Sequence, residues 1–242
     1  MFLWQREVRP GWVVAFTDSS AGSLSVTVPG NGAASAARRR LRQETGVRED
    51  FRFMHQVHGT EVIPAESIAP AAAPVPHADA MLSASLPLAV LVADCLPVVF
   101  LGESQSPEEP VIAAVAHAGR RGLAGGVLPA TVDALRQRGA ESIEAWIGPA
   151  ICGSCYEVPA ELREEVAAVL PGSRTQTSWG TPALDLPEAA SQQLAGLGVP
   201  SHNLSVCTLE EPALFSHRRF QRERQGPRPA AEGRFAGVVY RR

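Results

Sequence analysis

The sequence predicts a mixed α/β fold, and three observations point there. Near-continuous apolar runs recur at Leu86–Val92, Pro97–Leu101 and Val111–Ala116, as suits strands covered on both faces. Stretches with helical periodicity and an apolar face follow them. There are also more strand-like runs than a simple doubly wound fold requires. With 242 residues, 45% of them hydrophobic and 19% charged, the chain can bury a sizeable core. No internal repeat or long linker divides it, so one domain spanning 1–242 is the simplest organisation.

The elements follow in order. Trp12–Thr17 reads as a short buried strand, and the Gly- and Ser-rich stretch after it surrounds a further strand at Leu24–Val28. Ala33 to Glu44 predicts a helix with Gly46 as its stop signal. Its arginines, Arg38, Arg39, Arg40 and Arg42, read as a solvated face rather than a phosphate site. Phe51–His58 alternates with period two, and Pro64–Pro76 is a Pro- and Ala-rich connection. Gly102–Pro110 is an acidic loop between the second and third apolar runs. Leu123–Arg138 predicts one helix with Val127, Leu128, Val132 and Leu135 on its apolar face, followed by a strand at Ile143–Ile147. Pro159 opens a helix to about Leu170, and Asp185 caps another from about Pro187 to Leu197. Leu204–Cys207 and Phe235–Tyr240 are the closing strands.

Charge and composition exclude several function classes. A formal charge of −3 and a pI near 6.1 argue against nucleic-acid binding through bulk positive charge. No apolar stretch reaches the roughly 18–20 residues of a membrane span, and the charged N-terminus lacks a signal peptide's apolar run, so a cytoplasmic protein is expected. All 22 basic residues are Arg, which removes any Schiff-base or lysine general-base mechanism. Four cysteines are too few for a disulfide scaffold and read as reduced thiols, ligands or nucleophiles.

Three residues stand at strand ends: His58 before Gly59, Cys95 after Leu88–Val92, and His117 after Val111–Ala116. Two imidazoles and a thiolate make a zinc set that leaves a fourth position open. The same residues also read as a Cys–His nucleophile pair beside Asp94, and spacing does not separate the two. Cys152-Gly153-Ser154-Cys155 is a C-x-x-C pair, but it lacks an obvious second half for zinc and does not open a helix as a redox motif should, so a loop role is favoured. Phe215-Ser216-His217-Arg218-Arg219 reads equally as a phosphate fork or a basic turn.

Together these motifs resemble the YfiH-type family. Gln56-Val57-His58-Gly59-Thr60-Glu61-Val62, Ala78-Asp79-Ala80, Ala93-Asp94-Cys95-Leu96-Pro97, Ala116-His117-Ala118-Gly119-Arg120-Arg121-Gly122 and Phe215–Arg219 occur in the family's order, over roughly residues 50–242. The resemblance implies a mixed sheet sandwiched by helices and a metal held by His58, Cys95 and His117. The family carries the labels laccase-like polyphenol oxidoreductase, purine nucleoside phosphorylase with adenosine deaminase activity, and peptidoglycan-editing factor. Six histidines are too few for a multicopper centre, which favours zinc and nucleoside chemistry, with copper as the ion that the older label implies. The expected partners are then a purine nucleoside and phosphate. Arg121 and Arg218 are the expected anion ligands, Gln56 a substrate contact, and Asp94 a general base or an orienting group, with Cys95 as a catalytic thiolate. The chain departs from the family's pattern before residue 50, at Arg120 where Trp is usual, and at Phe220 where Asp is usual. A catalytically silent metal-binding protein and a C-x-x-C redox protein are the alternatives.

Overall fold

The computed structural model describes residues 1–27, 33–68, 75–105, 111–226 and 229–242. Two sheets stack face to face, with helices on both outer sides. The first sheet has four strands, β1 (Phe2–Arg9), β2 (Trp12–Thr17), β5 (Leu88–Val92) and β12 (Phe235–Arg241), in the order β1-β2-β12-β5. The second has six: β3 (Val62–Pro64), β4 (Ala80–Ser83), β6 (Leu96–Ser104), β7 (Val111–Ala118), β8 (Ala140–Ile147) and β11 (Ser201–Asn203), in the order β11-β8-β6-β7-β4-β3. Most pairings are antiparallel, while β3–β4 and β8–β11 are parallel, so the sheet is mixed. A two-stranded ribbon joins β9 (Arg174–Gln176) and β10 (Pro182–Leu184).

Period-two alternation explains why the strands are apolar throughout. On β7, Ile112, Ala114 and Ala116 face Val127, Leu128, Val132 and Leu135 of the helical layer, while Ala113 and Val115 face the four-stranded sheet. On β2, Trp12, Val14 and Phe16 point between the sheets, and Val13 and Ala15 pack beneath α1 (Ala34–Thr45) with Leu41. The other α-helices among the described residues are α2 (Arg120–Gly125), α3 (Val127–Gln137), α4 (Ala160–Val169), α5 (Leu186–Gly196) and α6 (His217–Glu223).

Gly46 caps α1 at φ 73°, and the Asp185 carboxylate accepts from the Glu188 amide at 2.9 Å to cap α5, both as the sequence predicts. Five expectations are corrected. The helix over Leu123–Arg138 is two helices, because Gly126 takes φ 95° between them. Residues 51–58 form no strand: Arg52 makes one bridge to Leu88, and the Gln56 side chain then takes over the pairing with Leu91. The last strand of the large sheet is Ser201–Asn203 rather than Leu204–Cys207, where Ser205 at φ 53° breaks the extended chain. Leu24–Thr27 is not a strand, and Val28 lies outside the described residues. Gly102–Ser104 continues β6, while residues 106–110 of the expected loop lie outside the described residues, as do 69–74 of the Pro-rich connection.

Candidate metal centre and cavity

The connection between the two sheets places the thiol. The chain leaves β5 of the small sheet and enters β6 of the large one through Ala93-Asp94-Cys95, turning at Asp94 with φ 83°. His117 sits near the end of β7, opposite Pro97 of β6, on the side chain parity that faces between the sheets. His58 lies in the loop before β3, itself at φ 62°. Two non-glycine residues in left-handed geometry beside one centre are strain held by the surrounding structure.

On the His58 side it is held by Asp79, fully buried at the entry to β4. Its Oδ1 accepts from the His58 amide at 2.9 Å and from His117 Nδ1 at 2.7 Å. Its Oδ2 accepts from the Gly59 amide at 2.6 Å and the Val57 amide at 3.2 Å. One carboxylate thus shapes the His58 loop and orients the His117 ring. Burial pushes the Asp79 carboxyl up, but the His117 and backbone donors outweigh it and hold it below its ordinary value.

The ligand atoms of His58, Cys95 and His117 all lie within 4.8 Å of one another, with Cys95 Sγ 3.9 Å from His58 Nε2. Burial alone would raise the Cys95 thiol, yet His117 and His58 bring it down to about 6. His117 is pushed up to about 9, where burial opposes but Asp79 and Cys95 prevail. Each of the two groups thus favours the charged form of the other. Gly119 closes the centre: a Cβ there would stand 2.8 Å from the His58 ring and 3.0 Å from Cys95 Sγ. With Nδ1 of His117 committed to Asp79, Nε2 is the nitrogen that faces Cys95 and, on losing its proton, would ligate a metal, with the carboxylate behind the ring as in metal-binding histidines. This donor set fits zinc.

The centre opens into a cavity of about 480 Å³, within the range of small-molecule sites. Arg38, Phe53, Leu91, His217 and Arg234 are among the residues that line it. Arg38 of α1 is not a solvated residue. Its guanidinium lies 3.6 Å from the centroid of the Phe53 ring, its Nε donates to the Leu24 carbonyl at 2.9 Å, and burial lowers it to about 10.

The other expected site residues fall in different places. Gln56 lines the cavity, but its amide is spent on Leu91, donating to the carbonyl at 2.7 Å and accepting from the amide at 2.9 Å. Asp94 accepts from the Thr208 hydroxyl at 2.7 Å and from the Arg218 amide at 2.7 Å, tying the thiol's turn to the first turn of α6. Arg121 is exposed on α2 and does not line the cavity. Arg218 turns away from it, donating to the Glu157 carbonyl at 2.9 Å beside the Tyr156 ring. Sequence reasoning missed the roles of Asp79, Arg38 and Arg234. Asp79 was visible as part of Ala78-Asp79-Ala80, and nothing local marks the other two.

A second group also assembles. Cys152, Cys155, Cys207 and Glu210 bring their ligand atoms within 4.8 Å of one another, a cluster able to hold a metal ion. Cys152–Cys155 therefore does have a second half, contrary to the sequence expectation.

The family model described as multi-copper polyphenol oxidoreductase laccase matches residues 25–242. The chain belongs to this family. It is the YfiH-type family that the motifs resemble. A purine nucleoside phosphorylase of Streptomyces coelicolor is 46% identical over 196 residues, covering 78% of this chain and 74% of the relative. The crystal structure of YlmD from Geobacillus stearothermophilus superposes with a TM-score of 0.78 at 28% identity and covers 100% of both chains. A Neisseria meningitidis protein does so with a TM-score of 0.79 at 27% identity, covering 99% of this chain and 98% of that one. The family's mixed α/β fold is thus the fold of this chain. Among the described residues, no helix is long and apolar enough to cross a membrane.

Proposed function

We propose that this chain is a purine nucleoside phosphorylase working in the cavity beside His58, Cys95 and His117, with zinc as the ion those residues hold. The observation that carries the reading is the 46% identity to a phosphorylase of that name, combined with three convergent ligands opening onto a nucleoside-sized cavity. Bound there, zinc supplies a Lewis acid with one open position for an oxygen ligand.

The reaction joins a phosphate oxygen to the ribose C1′ as the bond to the purine breaks, giving free base and ribose 1-phosphate. Its demands on the protein are an anion site, an apolar wall and a proton donor for the leaving base. Arg38 and Arg234 provide positive charge inside the cavity, and Arg38 is pre-set by Phe53 and Leu24. Phe53, Met54 and Leu91 give the purine an apolar surface. His55 and His217 line the same space and can carry a proton to the purine nitrogen. Asp79 fixes His117, and Asp94 and Gln56 position the Cys95 turn and the His58 loop rather than touching substrate. The multicopper label does not match the ligands: of six histidines, only His58 and His117 converge with Cys95.

The test is turnover of adenosine, inosine and methylthioadenosine by zinc-loaded protein, with and without phosphate, beside Cys95→Ala. Free base that requires phosphate and disappears in the variant is the expected result. Ammonia from adenosine without phosphate would assign deamination to the same centre. No turnover with zinc still bound would leave a silent metal-binding protein.

A further inference from the structure

The phosphorylase reading uses one of the two clusters able to hold a metal among the described residues. The other consists of two turns of the same construction. In Cys152-Gly153-Ser154-Cys155, the amides of Cys155 and Tyr156 both donate to the Cys152 carbonyl at 3.0 Å. In Cys207-Thr208-Leu209-Glu210, the amides of Glu210 and Glu211 donate to the Cys207 carbonyl at 3.2 and 2.9 Å. Each turn therefore presents position one and position four on the same side, the C-x-x-C logic of a zinc knuckle, with Glu210 in place of the fourth cysteine.

The two turns are locked face to face. Ala150 and Cys207 form a parallel bridge, with the Ala150 amide on the Val206 carbonyl at 3.1 Å and the Thr208 amide on the Ala150 carbonyl at 3.0 Å. Cys152 N–H points at Cys207 Sγ at 3.5 Å, and Cys155 Sγ lies 3.5 Å from a Glu210 carboxylate oxygen. A tetrahedral zinc with bonds of about 2.3 Å to sulfur spaces its donors roughly 3.8 Å apart. The observed mutual distances, all within 4.8 Å, need only a small contraction. Cys155 and Cys207 are buried and Glu210 is exposed at the rim, so the site is closed on its inner side and reachable from outside. Around it, Ile151, Tyr156 and Leu209 supply an apolar surround.

We infer that Cys152, Cys155, Cys207 and Glu210 form a structural zinc site, separate from the His58–Cys95–His117 centre. Three thiolates and a carboxylate fill all four tetrahedral positions, so this ion has no open place for substrate, in contrast to the three-ligand centre. Its work is mechanical. The 207–210 turn carries Thr208, whose hydroxyl holds Asp94 next to Cys95. The Arg219 guanidinium of α6 donates to the carbonyls of Thr208 and Leu209 at 3.0 Å and of Glu211 at 3.2 Å. On the other turn, the Ile151 amide donates to the Asp94 carbonyl at 3.0 Å. Zinc between the turns fixes both supports of the Cys95 turn and the base of α6, which carries His217 into the cavity. The inference does not depend on what the cavity binds.

The decisive measurement is the metal content of the full chain purified without chelator, by elemental mass spectrometry, in wild type and in Cys95→Ala. The expected result is about two zinc per chain falling to one in Cys95→Ala. That protein, refilled with Co2+, should still show thiolate-to-cobalt charge transfer, since the remaining cobalt keeps three sulfur ligands. Adding Glu210→Ala in the Cys95→Ala background should release the remaining zinc to a chelator at least tenfold faster, and Glu210 is exposed, so the fold survives the change. Cys207→Ser in the same background should remove the ion. Zinc-free Cys95→Ala protein would overturn the inference, as would iron in place of zinc. A disulfide among the three cysteines, found by alkylation without reduction, would overturn it as well. If Cys207→Ser does not fold, the zinc count in Cys95→Ala and the Glu210→Ala release rate still decide.

Discussion

Asp79→Asn separates an orienting carboxylate from a merely buried one. The carboxylate accepts four hydrogen bonds, two on each oxygen, at 2.6–3.2 Å. An amide keeps one oxygen and replaces the other with a donor. Whichever way it sits, two N–H groups lose their acceptor and face an NH2. Either Val57 and Gly59 are orphaned, or His58 and His117. A buried donor without a partner costs roughly 1–3 kcal/mol, so the pair costs about 2–6 kcal/mol before relaxation. A domain's whole stability is only about 5–15 kcal/mol. Relaxation has limited room, because Asp79 has no solvent exposure and His58 already sits at φ 62°. The metal centre suffers separately: without a carboxylate the His117 ring loses the anion that fixes its tautomer, a change that typically lowers metal affinity about 10–100-fold. Urea unfolding of the metal-free protein and competitive zinc titration measure the two effects. Wild-type zinc affinity together with a stability loss below about 0.5 kcal/mol would refute the role assigned to Asp79.

Gly119→Ala has no backbone strain, since φ is −70°, but its Cβ would stand 2.8 Å from the His58 ring; overpacking of about 1–3 kcal/mol should appear as roughly a 5–150-fold loss of zinc affinity in the same titration. Arg38→Gln removes the half-buried charge in the cavity, and an anion hydrogen bond of about 1.5–3 kcal/mol predicts a rise in the KM for phosphate of tenfold or more, with a smaller change in the KM for nucleoside. An equal rise in both would instead indicate a distorted wall. Far from the site, burial pushes the Glu144 carboxyl up, but His202 at 2.5 Å and Arg9 at 2.6 Å outweigh it and hold it below its ordinary value. A depressed folded-state value means that the unfolded chain binds more protons. The stabilisation is therefore complete above about pH 4.5 and is lost as pH falls through the folded value. Unfolding of Glu144→Gln at graded acid pH should show a shallower decline than wild type over that window.

How far these features could be read from the chain depends on their physical range. The two-sided strands were legible because burial on both faces leaves an unbroken apolar run, as in Val111–Ala116. Gly46 and Asp185 were legible because a helix end imposes a local chemistry. Strand β1 was not, since its exposed Gln5–Glu7 and edge position give it no clear alternation, and β3 and β11 span three residues each. The backbone of Phe51–His58 makes only isolated bridges, Arg52 to Leu88 and His55 to His77, and beside Leu91 the Gln56 side chain stands in for the main chain, which no periodicity reports.

The same division runs through the functional site. By itself the sequence determined the fold class, from covered strands and helical faces, and it marked His58, Cys95 and His117, because each ends or follows a run that reads as a strand, although 51–58 forms none. Only the tertiary structure brought those three within 4.8 Å and set Asp79 behind them. It placed Arg38 in the cavity and turned Arg218 out of it. It also joined Cys152–Cys155 to Cys207–Glu210, two turns 55 residues apart that meet through the Ala150–Cys207 bridge. Hydrophobic burial writes a periodic signal along the chain. Convergence of single polar side chains is a property of where the chain returns, and it leaves no period to read.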